Sequence, residues 1–515
     1  MTLNLAVTLE ESAKACPNKT ALISGEYKMS YAELRRAAKK FAGGLVSVGV
    51  KPGAKVALMA PNVPQWVAAY YGILNMGATV VPLNVLLKAS EVAYHLEDSD
   101  AVALVVWEDF LEEAEKAHKQ VAGCEDLIVI EKPDGAGALE GTHGYNEFLA
   151  ENPAEFEMVQ TDPNETAVLI YTSGTTGRPK GAELTHFNVL MNVMVVADWL
   201  FEITEGDVAL GALPLFNVFG QNGVLNSLLY KGATVVLLPC FEPEAALETI
   251  QRARVTMFHG VPTMYQSLLR YPGRERYDTS SLRQGVLAGA AMPAEALREF
   301  EEQFGVVILE GYGLSETTAA VCSNRSREER KAGSIGLPIW GIELKVFDSE
   351  DREVPRGEPG ELVVRGHAVM KGYYKRDEAT REAMRSGWFH TGDVATMDED
   401  GFVYIVDRLK DMIIRGEYNV YPREIEEILY QHPAVAECAV VGVPHSELGE
   451  EVQAIVALKP KQSATEQEII SFAKERAAAY KYPRLAVFMD ELPKTATGKI
   501  LKRKLISEAQ RGVPT

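Results

Sequence analysis

Short apolar runs alternate with amphipathic stretches over most of the 515-residue chain. Residues 55–59 (KVALM), 79–82 (TVVP), 103–107 (ALVVW) and 234–238 (TVVLL) predict buried strands. Residues 31–48 and 64–76 carry apolar side chains at helical spacing and few turn residues, so each predicts a helix. Residues 306–310 (VVILE) continue the alternation. Strands alternating with helices imply α/β architecture, with parallel sheets covered on both faces.

The texture changes after about Gly333. Residues 341–347, 360–365 and 401–406 read as short strands separated by turn-rich pieces such as DSEDREVPRGEPG and MDEDG. This spacing predicts a small antiparallel sheet or barrel. Beyond Asp411 the pattern tightens again. Residues 422–431 (PREIEEILYQ) open with proline and put Ile425, Ile428 and Leu429 on one helix face. Residues 437–443 and 451–458 predict strands, and 466–478 a helix. These features divide the chain into a large part, 1–409, and a small α+β part, 410–515. Residues 134–144 and 323–331 read as mobile surface loops.

Length alone predicts two or three domains. The net charge of −20 argues against nucleic acid as the main partner, because phosphate-backbone binding needs a basic face. Five scattered cysteines, none spaced as CxxC, argue against a disulfide framework or zinc site and fit a reducing cytoplasm. No signal peptide is legible at the N-terminus, and no apolar run reaches the roughly 18 residues that span a bilayer. Peripheral membrane contact and a homodimer both stay open on composition.

Candidate chemistry concentrates first in residues 171–181, YTSGTTGRPKG. Glycine frees the backbone for positive φ, so amide N–H groups can converge on one anion. Thr172, Ser173, Thr175 and Thr176 offer hydroxyl donors, Gly174 and Gly177 bare backbone, and Lys180 a charge. Together they suit a polyphosphate. The loop follows an apolar strand, and a helical stretch begins after His186, the usual phosphate-binding order. The string is not GxxxxGK[ST], and GYGLSE at 311–316 has glutamate where a dinucleotide fingerprint needs its third glycine.

Four more strings follow: GYGLSETT (311–318), WFHTGD (388–393), DRLKDMIIRGEYNVYPREIE (407–426) and PKTATGK (493–499). With the first, in this order and spacing, the chain resembles the adenylate-forming superfamily of acyl- and aryl-CoA ligases, luciferases and peptide-synthetase adenylation domains. The likeness covers roughly residues 5–503 and is strongest to bacterial medium- and long-chain fatty-acid–CoA ligases. It implies a large N-terminal domain of two α/β subdomains plus a small β-barrel-like subdomain, followed by a small mobile C-terminal domain.

The resemblance also implies roles. Tyr312, between Gly311 and Gly313, would stack on adenine, and Thr317 would bond the α-phosphate. Glu316 would bind Mg²⁺, which takes one or two carboxylates plus substrate phosphates. Asp393 would accept the ribose hydroxyls, and Arg408 would reach ribose or phosphate. Gly289 and Ala290 would line the nucleotide and acyl pockets. Lys499 would bridge the substrate carboxylate and α-phosphate during adenylation. Local sequence alone also allows Lys494, Lys499, Lys502, Arg503 and Lys504 to be an ordinary basic tail. Lys410 would be the hinge about which the small lobe swings, and Arg415, Gly416 and Tyr418 would line the path for coenzyme A.

Two positions depart from the family's pattern. Asn217 stands where histidine is common; its amide hydrogen-bonds but does not titrate near neutral pH. Glu417 replaces a glycine in the loop expected to approach coenzyme A. The implied acyl pocket draws on Phe216, Asn217, Phe219, Gln221, Met264, Ala288, Gly313, Leu314 and Val321. The set is mostly apolar and uncharged, with no aspartate for a substrate amine. The expected reaction joins a carboxylic acid to coenzyme A through an acyl-adenylate, with ATP cleaved to AMP and pyrophosphate. An aryl-CoA ligase, an adenylating enzyme loading a carrier protein in trans, and a binding protein with a decayed site are the alternatives.

Overall fold

The computed structural model describes residues 2–132, 141–172, 178–290, 292, 294–416, 418–445, 448–494, 500–502 and 504–506. Two large sheets dominate. The first has nine strands, in the order Leu337–Pro338, Cys322–Ser323, Val307–Tyr312, Gln284–Leu287, Met257–Gly260, Val208–Gly211, Thr234–Leu237, Thr20–Ser24 and Tyr27–Ser30. Its six central strands are parallel.

The second sheet runs Gly372–Tyr373, Lys180–Thr185, Thr166–Thr172, Thr79–Pro82, Lys55–Met59, Ala101–Trp107, Asp126–Ile130 and His143–Gly144. It is parallel from Thr166–Thr172 onward and antiparallel at the other edge. The apolar runs and their intervening helices therefore form the expected covered parallel sheets. Helix Pro64–Asn75 is buried on every side except Gln65. A helix apolar all round belongs inside. Trp66, Tyr70 and Tyr71 anchor the largest core cluster, each contributing on the order of 1.5–3 kcal/mol through burial. Gly72 lets helix Tyr31–Ser47 approach, since a Cβ there would lie 2.8 Å from the Ala38 carbonyl oxygen.

Strands Ile342–Phe347, Gly360–Gly366, Phe389–Met397 and Val403–Arg408 form the small antiparallel sheet. Next come Ile413–Arg415, Tyr418–Val420, helix Pro422–Tyr430, the hairpin Val435–His445 and Gly449–Leu458, helix Glu466–Lys474 and strand Leu485–Phe488. They enclose a core of their own around Ile425, Leu429, Val440, Val452 and Ile469. Two hydrogen bonds join this unit to the small sheet. The Arg423 N–H donates to Asp407 Oδ2 at 2.8 Å, and its guanidinium donates to the Ile405 carbonyl at 2.8 Å.

Two expectations change. Residues 323–331 are not a loose loop. Ser323 and Asn324 are buried, Arg330 pairs with Glu301, and Lys331 lies 2.6 Å from both Asp398 and Asp400. The run is rich in charge because these partners are charged. Of 134–144, residues 134–140 fall outside the described residues, and His143–Gly144 is a short strand.

Candidate active site

The glycine-rich segment closes a hairpin. Thr172 and Lys180 face each other across antiparallel strands Thr166–Thr172 and Lys180–Thr185, and the helix starts only at His186. The expected strand–loop–helix order is thus corrected: strand Lys180–Thr185 comes between the glycine-rich stretch and the helix in the chain. Ser173, Gly174, Thr175, Thr176 and Gly177 lie outside the described residues.

Beside this hairpin runs the edge strand Gly372–Tyr373, with Tyr373 opposite Ala182. This register carries the Tyr373 ring between two predicted site residues. Lys180 Nζ lies 5.2 Å from the ring centroid, and the Tyr373 hydroxyl donates to Glu316 Oε1 at 2.9 Å. The backbone of Glu316 is pinned as well, its carbonyl accepting from Met370 N at 2.8 Å. Thr317 is fully buried, and its hydroxyl accepts from Leu314 N at 2.8 Å. In this arrangement the hydroxyl shapes the turn that presents Glu316.

The next residues depart from ordinary backbone. Thr318 has φ 62° and Ala319 φ 113°, unusual for residues with side chains. Three buried contacts hold the turn. Thr318 Oγ1 donates to the Ala368 carbonyl at 2.6 Å, Asn222 to the Thr318 carbonyl at 3.1 Å, and Asn192 to the Ala320 carbonyl at 2.8 Å. Asn222 belongs to a chain of buried groups. Asn226 Nδ2 donates to Asn222 Oδ1 at 2.8 Å and to the Tyr70 oxygen at 3.0 Å, while Tyr71 donates to Asn226 Oδ1 at 2.8 Å. Gly313 is required by close approach, because a Cβ there would fall 1.8 Å from the Ala319 oxygen.

Tyr312, Asp393 and Arg408 come together. Asp393 and Arg408 are cross-strand partners in the small sheet, and Tyr312 ends a strand of the first sheet. The Tyr312 hydroxyl donates to Asp393 Oδ2, and Arg408 Nε lies 2.7 Å from Asp393 Oδ1. Asp393 is 2% exposed. Burial first, and then the Asp393 charge, push the Tyr312 hydroxyl well above the usual phenol range. The three residues expected to hold adenine, ribose and phosphate are therefore bonded to one another.

The residues expected around the acyl group lie on several segments. Phe216 is buried, and Asn217 precedes the wide helical turn Phe219–Asn226, its carbonyl accepting from Gln221 N at 2.8 Å. Gln221 is fully buried, with its amide directed to the Leu215 carbonyl at 3.3 Å. Met264 is buried in helix Pro262–Arg270, and Val321 is buried in the core with its N–H on the Tyr312 carbonyl. Ala288 bonds the Gly260 carbonyl, Gly289 has φ 87°, Ala290 is exposed, and Leu314 is half-buried.

Toward the C-terminus, Lys410 is exposed on the single turn Leu409–Asp411 between the small sheet and Ile413–Arg415. Arg415 makes a two-pronged pair with Glu451 at 2.6 and 2.9 Å. Gly416 turns with φ 63°, and the exposed Tyr418 ring stacks on Tyr480 at 4.6 Å. Glu417 and Lys499 lie outside the described residues.

Sequence reasoning missed Tyr373 and the Asn222–Asn226 amides. Tyr373 gave no local signal, since its role depends on strand pairing. The amides were legible only as polar residues inside an apolar helical stretch. Among the described residues, no group of three or more His, Cys, Asp or Glu side chains could hold a metal unaided. A lone carboxylate such as Glu316 nevertheless fits Mg²⁺, which takes most of its ligands from phosphates and water.

The chain and its fold match known proteins. Residues 9–374 match the AMP-binding enzyme family, and 424–499 its C-terminal domain, so the chain belongs to the AMP-binding enzymes. Its relatives define it further as an AMP-forming acyl- or aryl-CoA ligase. It is 38% identical to a long-chain-fatty-acid–CoA ligase of Bacillus subtilis, over 97% of this chain and 93% of that protein. It is 39% identical to a feruloyl-CoA synthase of an Amycolatopsis species, over 95% and 96%. Its fold superposes with a TM-score of 0.92 on the anthranilate CoA ligase AuaEII in complex with anthranoyl-AMP, at 34% identity over 99% and 98% of the two chains. Among the described residues no helix is long and apolar enough to cross a membrane.

Proposed function

We propose that this ligase activates an apolar carboxylic acid, a medium- or long-chain fatty acid in the first instance, in the cytoplasm. The observation that supports the assignment of roles is the Lys180–Tyr373–Glu316 alignment beside the Tyr312–Asp393–Arg408 cluster. Lys180 attracts the phosphates of ATP, and Tyr373 holds the Glu316 carboxylate toward them. Asp393 exchanges its present partners for ribose hydroxyls, and Tyr312 is freed to stack on the base. Mg²⁺ held by Glu316 would neutralise phosphate charge.

The substrate carboxylate attacks the α-phosphorus and pyrophosphate leaves. Lys499 stabilises the charge that develops between them. Residues 410–515 then turn about Lys410, and Arg415, Gly416 and Tyr418 guide coenzyme A, whose thiol displaces AMP from the acyl carbon. An aromatic acid is the second reading, favoured by the feruloyl and anthranilate ligases among its relatives.

The test is Lys499→Ala. Pyrophosphate exchange with free acid falls to background, whereas thioester formation from presynthesised acyl-AMP survives. Equal loss of both half-reactions contradicts the assigned role. A panel of aliphatic and aromatic acids, read by mass spectrometry of the coenzyme A thioesters, decides between the two acid classes.

A further inference from the structure

His259 lies beneath the expected acyl wall and has no assigned part in the reaction. It sits on strand Met257–Gly260 and is fully buried. The Phe219 ring lies nearly parallel to the imidazole, 26° between planes at 6.1 Å, and Phe201 meets it edge-on at 5.5 Å. Neither ring nitrogen makes a hydrogen bond of acceptable geometry among the described residues. The Gly223 backbone is near enough to bias its protonation, without closing such a bond.

An apolar acid needs nothing polar at this depth, and a buried donor or acceptor without a partner is costly. Burial and then the Arg283 charge hold the His259 pKa down at about 3, so the ring is neutral at physiological pH. A neutral imidazole offers one N–H and one acceptor nitrogen. It complements a hydroxyl, which both donates and accepts, better than a second carboxylate. Phe219 is half-buried, and Gly223 beside it carries no side chain; a Cβ there would lie 2.9 Å from the Phe219 ring. Phe219, expected in the acyl wall, is the ring that a substrate there would have to displace to reach the imidazole.

We propose that His259 is a specificity-determining residue that hydrogen-bonds a neutral hydroxyl on the part of the acid remote from its carboxylate. The proposal rests on the ligase reading and replaces the plain fatty acid as preferred substrate with a hydroxylated acid, phenolic or aliphatic. A site built around such a bond disfavours the analogue lacking the hydroxyl, because the protein group is then left unpaired.

The experiment compares kcat/KM in pyrophosphate exchange for matched acids differing by one hydroxyl: 4-hydroxycinnamate against cinnamate, and ω-hydroxyalkanoates against unsubstituted alkanoates. Wild-type protein is expected to favour the hydroxylated member of at least one pair by about tenfold or more. The pair that shows the preference identifies the source of the hydroxyl. His259→Leu should erase the preference while keeping exchange with the plain acid, and His259→Gln should retain part of it. Equal rates for both members of every pair in the wild type overturn the proposal whether or not the variants fold. An unchanged preference in a folded His259→Leu protein also overturns it. Exchange without preference leaves the ligase reading standing, whereas absence of exchange with every acid defeats both.

Discussion

Arg408 Nε lies 2.7 Å from Asp393 Oδ1, while the other oxygen of the same carboxylate receives the Tyr312 hydroxyl. Two strands of the small sheet and one of the first large sheet thus meet at a single buried acid. Asp393→Asn removes the charge and keeps the shape. Arg408 is about one-third exposed, so the stability loss is discounted from the full buried-pair penalty to about 1–3 kcal/mol. The KM for ATP is expected to rise at least about tenfold through loss of a charge-assisted hydrogen bond. Exchange kinetics at varied ATP check this; an unchanged KM removes Asp393 from the nucleotide site.

Tyr373→Phe keeps the ring beside Lys180 and deletes only the hydroxyl bonded to Glu316. A hydrogen bond to a charged group is worth about 1.5–3 kcal/mol. The Mg²⁺ concentration for half-maximal exchange should increase roughly tenfold as Glu316 loses its fixed orientation. A magnesium titration that superimposes on wild type would show that Tyr373 does not position this carboxylate.

Gly313→Ala places a Cβ 1.8 Å from the Ala319 oxygen, on a turn already at positive φ. Backbone must shift, and Glu316 moves with it. Exchange should drop by more than about a hundredfold, in keeping with the cost of misplaced catalytic groups. Gly123→Ala, where a Cβ meets nothing within 4 Å, is the matched control and should leave exchange unaltered.

Acid should loosen the N-terminal segment. His186 is buried, its Nδ1 accepts the Leu5 N–H at 3.0 Å, and burial lowers its pKa from 6.5 to about 4. The folded protein holds this ring neutral, while the unfolded chain protonates it near pH 6.5. Its contribution is therefore complete above about pH 6.5 and is lost as pH falls through about 4, to a total of about 3 kcal/mol. The protection of the Leu5 amide, its exchange rate relative to an unstructured amide at the same pH, should fall across that window, and His186→Gln should flatten the dependence. A pH-independent protection factor in wild type would contradict it.

Elements governed by local pattern were legible in the chain itself. Strands Lys55–Met59 and Thr79–Pro82 fall where the apolar runs place them, and helix Pro422–Tyr430 starts at its proline. Site features created by pairing across distance were not. Nothing near Tyr373 announces that an edge strand brings it to Lys180, and nothing in AVLIY predicts that the following loop returns as an antiparallel partner. Thr318 and Ala319 look like ordinary residues until Gly313 is seen packed against them. Their conformation is imposed by buried amides distant in sequence, which no local propensity encodes.

The segment Phe219–Asn226 has two separable duties. Asn222 and Asn226, four residues apart, tie the aromatic core to the Thr318 turn, while Phe219 and Gly223, with the same spacing, stand over His259. On the His259 proposal, changes at the second pair would alter the acid accepted while the amides of the first keep their hold on the Thr318 turn. Divergence of substrate taste on a preserved reaction would follow one side of this turn, and engineering of new ligases has its safest latitude there.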